Sequence, residues 1–75
     1  NINKTLWVKL PKDLNISIKD IESTLLNNKG VTPVIVYDEA KKTKFNLNNT
    51  HWVNISDNLL TELKDILDSS CIVIK

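Results

Sequence analysis

The chain has no arginine, no methionine, one glycine, one cysteine and few aromatic residues among its 75 residues. Because all ten basic residues are lysines, the planar, bidentate recognition of phosphate or guanine that arginine provides is missing. A single cysteine excludes a disulfide within the chain and predicts a reducing compartment, the cytoplasm. No apolar run approaches the ~18 residues of a membrane-spanning helix, so no membrane partner is expected.

The overall composition is that of an ordinary globular domain. Hydrophobic residues make up 41% and charged residues 25% of the chain, and the net charge is +1. A charge this close to neutral favours neither a nucleic acid nor a membrane surface as partner. The chain starts at Asn1 and contains no methionine, so we expect residues 1–75 to be a single domain excised from a longer chain. The polar residues 1–4 are expected to be frayed.

Four segments have the apolar patterning of β-strands. In the first of them Leu6, Val8 and Leu10 fall on one side and Thr5, Trp7 and Lys9 on the other, which is typical of a strand with one buried face. The second segment is the longest apolar, β-branched run of the chain, whereas the third is more polar. Strands are predicted over residues 5–10, 32–37, 43–47 and 71–74.

Two segments have apolar stripes at helical spacing, each preceded by a serine. Ser17 with Asp20 three positions on predicts a capping box, and Ser56 predicts a second N-cap. Gly30 lies where a helix C-terminus favours a residue at positive φ. Helices are predicted over residues 18–28 and 57–68.

The predicted element order is β-α-β-β-α-β. Two helices with one apolar stripe each must cover one face of a four-stranded sheet, which makes this an α+β, two-layer sandwich. The commonest fold with this order is ferredoxin-like, with strand order 4-1-3-2. A strand-order variant, 3-2-1-4, is the alternative, because the apolar second strand is typical of a central strand and the polar third strand of an edge.

No set of residues predicts catalysis or metal binding. His51 is the only histidine and lies in an asparagine-rich loop, which predicts a solvated side chain. Cys71 begins an apolar strand and is interpreted as a small core residue, since an activated thiolate needs a basic setting. Asp38 and Glu39 share a turn with lysines. We therefore expect no catalytic residue and no cofactor or metal ion within this fragment.

The informative feature is the sheet face that the helices leave uncovered. If Leu6 and Val8 point at the helices, then Trp7, Lys9, Ile35 and Tyr37 point away, and Val73 could join them. Aromatic and aliphatic side chains on an open face are typical anchors for a protein partner. The alternatives are that a neighbouring domain of the same chain or the loops cover this face, that its exposure is incidental, and that it stacks the bases of a single-stranded nucleic acid.

Three segments carry a family resemblance: Leu-Trp-Val-Lys-Leu-Pro at residues 6–11, Asn-Lys-Gly-Val-Thr-Pro-Val-Ile-Val-Tyr at residues 28–37, and Val-Asn-Ile-Ser-Asp-Asn-Leu-Leu-Thr-Glu-Leu at residues 53–63. Their order resembles the extreme C-terminal domain of the alpha subunit of bacterial DNA polymerase III. The likeness covers most of the chain. One departure is visible, because residues 68–70 read Asp-Ser-Ser where that family often has a glycine.

The resemblance implies a non-catalytic module at the C-terminus of a DNA-directed DNA polymerase, a transferase of DNA replication. In that family the catalytic carboxylates lie far upstream, so none is carried onto this chain. The family's C-terminal region is associated with tethering the polymerase to the clamp-loader tau subunit, and the preceding domain of the same chain is the other expected partner. Direct contact with nucleic acid is expected to be weak or absent. A regulatory domain of the ACT type, which binds small molecules, shares the element order and is a further alternative.

Overall fold

The apolar stripes and alternating strands assemble into two layers. The structure is a computed structural model that describes residues 4–75, and it has a four-stranded mixed sheet with two helices on one face. The strands are β1 (Leu6–Leu10), β2 (Lys29–Thr32), β3 (Val34–Asp38), β4 (Thr43–Asn46) and β5 (Ile72–Ile74). The helices are α1 (Ile18–Leu26) and α2 (Asp57–Ile66), with short 3₁₀ helices at Asn49–His51 and Ser69–Cys71. The predicted α+β sandwich is confirmed, and the expected fraying of residues 1–4 lies outside the described residues except at Lys4, which has no regular structure.

The strand order is β4-β3-β1-β5, so the ferredoxin-like order is wrong and the 3-2-1-4 variant is confirmed. β1 and β3 are parallel neighbours at the centre, with Val8 opposite Val36, and α1 lies between them in the chain. β4 and β5 pair antiparallel with them at the two edges. The physical reason is polarity, because the ferredoxin-like order would place Lys44 and Asn46 of β4 in the middle of the sheet.

The predicted second strand is divided at Pro33. β3 belongs to the sheet, but β2 lies outside it and bridges to Val53 from Lys29 and Thr32. Proline has no backbone N–H and therefore cannot continue a ladder of hydrogen bonds. The backbone before Pro33 therefore pairs with Val53, and the backbone after it pairs with β1.

Both helices begin after the predicted serine N-caps and end two residues earlier than predicted, but the Ser17 hydroxyl accepts no cap hydrogen bond and the bond formed at α1 is the one to Asp20. The Asp20 carboxylate accepts a hydrogen bond from the Ser17 backbone N–H at 2.7 Å. The Ser56 hydroxyl oxygen accepts one from the Leu59 backbone N–H at 3.2 Å. These bonds satisfy donors that a helix N-terminus otherwise leaves without partners.

Gly30 is needed for space and not for a positive φ, so the predicted role at the helix C-terminus is wrong. Asn27 is the C-cap of α1, and Gly30 lies in β2 at an ordinary φ. A Cβ atom at Gly30 would lie 2.4 Å from the Asn54 backbone nitrogen and 2.6 Å from the Val53 carbonyl carbon. Two backbone segments therefore approach each other more closely than any side chain permits.

The hydrophobic core lies between the sheet and the helices. Alternate residues of the central strands and one stripe of each helix are buried in it. Its fully buried members are Leu6, Val8, Leu10, Ile21, Leu25, Val34, Val36, Val53, Leu59, Leu63 and Leu67. Cys71 is buried beside them at the end of the second 3₁₀ helix, as the core interpretation of this residue predicts.

Candidate partner-binding surface

The four residues predicted for a partner surface lie together on the sheet face without helices. Strand register sets Trp7 opposite Ile35 and Lys9 opposite Tyr37, so the central strands present them as a two-by-two group. Tyr37 is 36% exposed, whereas Trp7 and Ile35 are half-buried. The alternation in β1 and β3 causes this placement, because the apolar residues that alternate with these four are in the core. The placement agrees with the prediction, and the binding role of these residues stays a prediction.

Val73 extends the group across the third strand. It lies opposite Trp7 in the antiparallel pair of β1 and β5 and is 44% exposed. Trp7 therefore has an aliphatic neighbour on each side, Ile35 and Val73. We use the name open face for the side chains that share this side of the sheet: Trp7, Lys9, Ile35, Tyr37, Lys44, Asn46, Val73 and Lys75.

Two lysines that sequence reasoning missed surround the Trp7 ring. The Lys44 ammonium nitrogen lies 5.8 Å from the centroid of the ring, and that of Lys75 lies 5.5 Å from it. Both distances are within the range of cation–π attraction, worth about 0.5–1 kcal/mol at an exposed site. Lys44 reaches the ring from β4, across β3. Lys75 continues the pairing of β5 with β1, since its backbone N–H donates to the Thr5 carbonyl at 3.1 Å.

Charge is separated between the two layers. The open face carries the lysines at positions 9, 44 and 75, and strands β1, β3, β4 and β5 place no carboxylate on that side. The helices α1 and α2 together contain five carboxylates and two lysines. The net charge of +1 conceals this separation. A surface of one sign attracts a partner of the other sign and repels its own.

A shallow groove of about 220 Å³ lies at one end of the open face, beside the second 3₁₀ helix. Pockets for drug-sized ligands have volumes of roughly 300–1,000 Å³, so this groove suits a single side chain better than a whole small molecule. The groove is lined by Trp7, Val8, Lys9, Tyr37, Ser70, Cys71 and Val73.

One end of the groove is held by a rigid turn. The Asp68 carboxylate accepts hydrogen bonds from the Ser70 hydroxyl at 2.6 Å and from the Ser70 backbone N–H at 3.1 Å. These two bonds hold the pKa of Asp68 below its ordinary value. Because Ser70 lines the groove, the hydrogen bonds from Ser70 to Asp68 fix the position of one wall of the groove.

The single histidine has a structural contact and is not the solvated loop residue that the sequence predicts. His51 Nε2 lies 2.9 Å from a carboxylate oxygen of Glu22, which ties the first 3₁₀ helix to α1. Within residues 4–75, no group of three or more histidine, cysteine or acidic side chains could hold a metal ion.

No helix in the described part of the chain is long and apolar enough to cross a membrane. Comparison of the chain with protein families, with curated proteins and with solved structures finds no match.

Proposed function

We propose that the chain is a non-catalytic protein-interaction domain whose open face docks onto a protein partner. The observation that supports this most is the group formed by Trp7, Ile35, Tyr37 and Val73, which is apolar, partly exposed and not needed to fill the core. Aromatic side chains at the centre of such a patch contribute much of the binding energy in protein interfaces.

The resemblance to the C-terminal domain of the DNA polymerase III alpha subunit makes this proposal specific. On that basis the parent chain is a cytoplasmic, DNA-directed DNA polymerase, and this domain helps to tether it to the replisome. The proposed partner is the clamp-loader tau subunit, and the alternative occupant of the open face is the preceding domain of the same chain. The catalytic carboxylates of the parent lie outside this domain.

A second function, binding of single-stranded nucleic acid, is favoured by one observation. Two ammonium groups lie within 6 Å of the Trp7 centroid, and Lys9 lies on the same face. Lysines beside an aromatic ring are a common arrangement for phosphates and stacked bases. Affinity from such contacts falls steeply with salt, because each neutralised phosphate releases counterions.

Titration calorimetry with the clamp-loader tau subunit of the same organism tests the first proposal. Trp7→Ala and Tyr37→Ala should each weaken binding at least about tenfold, since they remove aromatic anchors. Leu14→Ala is the control, because Leu14 is 47% exposed and lies outside the open face. Tyr37→Ala leaves the core untouched, so the test stands even if Trp7→Ala unfolds.

Two results would refute the docking proposal. One is the absence of heat with tau at any usable concentration. The other is binding that Tyr37→Ala and Leu14→Ala change equally. An oligonucleotide titration followed by anisotropy tests the second function, and a flat curve at low salt would eliminate it.

A further inference from the structure

We infer that the partner presents an acidic segment with one bulky apolar side chain, and that this side chain enters the groove between Trp7, Tyr37 and Val73. The carboxylates of the segment then lie against Lys9, Lys44 and Lys75. This inference rests on the proposed docking function and adds the chemistry of the occupant.

The shape of the groove supports a single anchor. Its volume of about 220 Å³ is below that of pockets for drug-sized molecules. Its walls are an indole, a phenol ring and a valine, which contact aliphatic or aromatic groups favourably. One anchoring side chain in a pocket surrounded by weaker contacts is the usual organisation of a protein interface.

The charges of the open face select the sign of the partner. Lys9 lines the groove, Lys44 and Lys75 lie beside the Trp7 ring, and the four strands of the sheet add no carboxylate there. The Asp68 carboxylate, which is bonded to Ser70 at one end of the groove, is outnumbered by these three ammonium groups. The helical layer, with five carboxylates and two lysines, repels an acidic segment. An acidic partner is thus directed to one side of the domain. A basic partner would be directed to the helices.

The contacts of Trp7 favour a peptide over a nucleic acid. The two ammonium groups near the ring could contact phosphates, but they lie over the ring itself, so a base could stack on Trp7 only after displacing a cation–π contact. A carboxylate needs no such exchange, because it can approach each ammonium from the side away from the ring. The chain also has no arginine for bidentate phosphate contacts.

Chemical-shift titration of the 75-residue chain tests the inference. The probe is a short synthetic peptide with one central leucine flanked by aspartates. We expect the largest shifts at the Trp7 indole N–H and at the amides of Lys9, Tyr37 and Val73. The Trp52 indole N–H is an internal reference and should not move, since it donates to the Leu47 carbonyl and does not line the groove.

Charge reversal provides the matched variants. Lys9→Glu with Lys44→Glu should weaken peptide binding at least about tenfold. Lys19→Glu with Lys64→Glu changes the net charge equally but alters exposed residues of the helices, so it should change the affinity less than about twofold. A peptide with serine in place of leucine should bind much more weakly, and one with lysines in place of aspartates should not shift the Trp7 signal.

The outcomes separate this inference from the docking function. If tau binding needs Tyr37 but the acidic peptide neither binds nor competes with tau, the acidic occupant is wrong and the docking surface remains. If the peptide binds at the groove while tau does not bind, the docking proposal fails and the occupant chemistry remains. Larger Trp7 shifts with a thymidine oligonucleotide than with the acidic peptide would overturn the inference in favour of nucleic acid.

Discussion

The substitution Gly30→Ala should destabilise the domain strongly, because the added methyl group meets backbone atoms. The new Cβ would lie 2.4 Å from the Asn54 nitrogen and 2.6 Å from its Cα, whereas ordinary contacts start near 3.4 Å. Flexible side chains could move aside, but these atoms belong to the segment that crosses β2. The two backbone segments must therefore separate.

Separation disturbs two hydrogen bonds and one core residue. The Gly30 N–H donates to the Trp52 carbonyl at 3.1 Å, and the Asn54 N–H donates to the Asn28 carbonyl at 2.7 Å. Each bond contributes about 0.5–1.5 kcal/mol, and displacing the fully buried Val53 adds an overpacking cost of about 1–3 kcal/mol. Alanine recovers about 0.4–1 kcal/mol through lower entropy of the unfolded chain. Mid-range values of these terms give an expected net loss of about 3 kcal/mol.

Urea unfolding and thermal melting followed by circular dichroism measure this loss. For a domain of this size the melting temperature should fall by roughly 10–30 °C. Val31→Ala is the matched control, because Val31 is the next residue of β2 and is 85% exposed, so its cost should stay below about 0.5 kcal/mol.

A third variant separates the two explanations of this glycine. If Gly30 served a positive φ, asparagine would be tolerated better than alanine, since asparagine adopts the left-handed region more readily. If close approach is the cause, Gly30→Asn is at least as destabilising as Gly30→Ala, since both add a Cβ. A loss below about 0.5 kcal/mol for Gly30→Ala, or a milder effect of Gly30→Asn, would refute the steric reasoning.

Two smaller predictions concern the turns. Lys42 has a φ of 53° in the β3–β4 turn, a conformation that glycine adopts more readily than other residues. Lys42→Gly should therefore raise the free energy of unfolding by about 0.5–1 kcal/mol, whereas Lys42→Ala should not. Urea unfolding measures both variants, and equal free energies of unfolding for the two would contradict this prediction. Asp68 has a lowered pKa in the folded state, so its contribution is present above the ordinary value of 3.8 and is lost as the pH falls through the folded pKa. Asp68→Asn should therefore have a lower free energy of unfolding than the original chain near neutral pH, and the two values should converge in acid. A difference that stays constant between pH 7 and pH 2 would contradict the lowered pKa of Asp68.

The local patterns of the sequence predict the layers well. Alternation identifies the buried sides of β1 and β3, and the serines before each helix predict its N-terminus within a residue. These features depend on neighbours along the chain, which a sequence displays directly. Even the strand order follows once polarity is weighed, because β4 has too many polar residues for the centre of the sheet.

Contacts between distant segments could not be predicted in this way. Glycine has two uses, positive φ and close approach, and only the position of Asn54 decides between them for Gly30. The lysines near Trp7 come from β4 and from the residue after β5, so their meeting depends on the strand order. The spacing of a polar residue such as Lys44 along the chain does not indicate which side chain it will contact in the fold.

The uncovered side of β1 and β3 is where binding can be altered without altering the fold. Every fully buried residue of these strands points to the helices, so the core does not need Tyr37 or Lys9. A domain selected only for solubility would carry small polar side chains there, because apolar exposure costs about 25 cal/mol for each Å². This sheet instead keeps an indole, a phenol ring and a valine within a ring of lysines. The cation–π contacts of Lys44 and Lys75 stabilise Trp7, but they do not account for the exposure of Tyr37 and Val73. Those two side chains are the ones that the proposed acidic, partly apolar partner would cover.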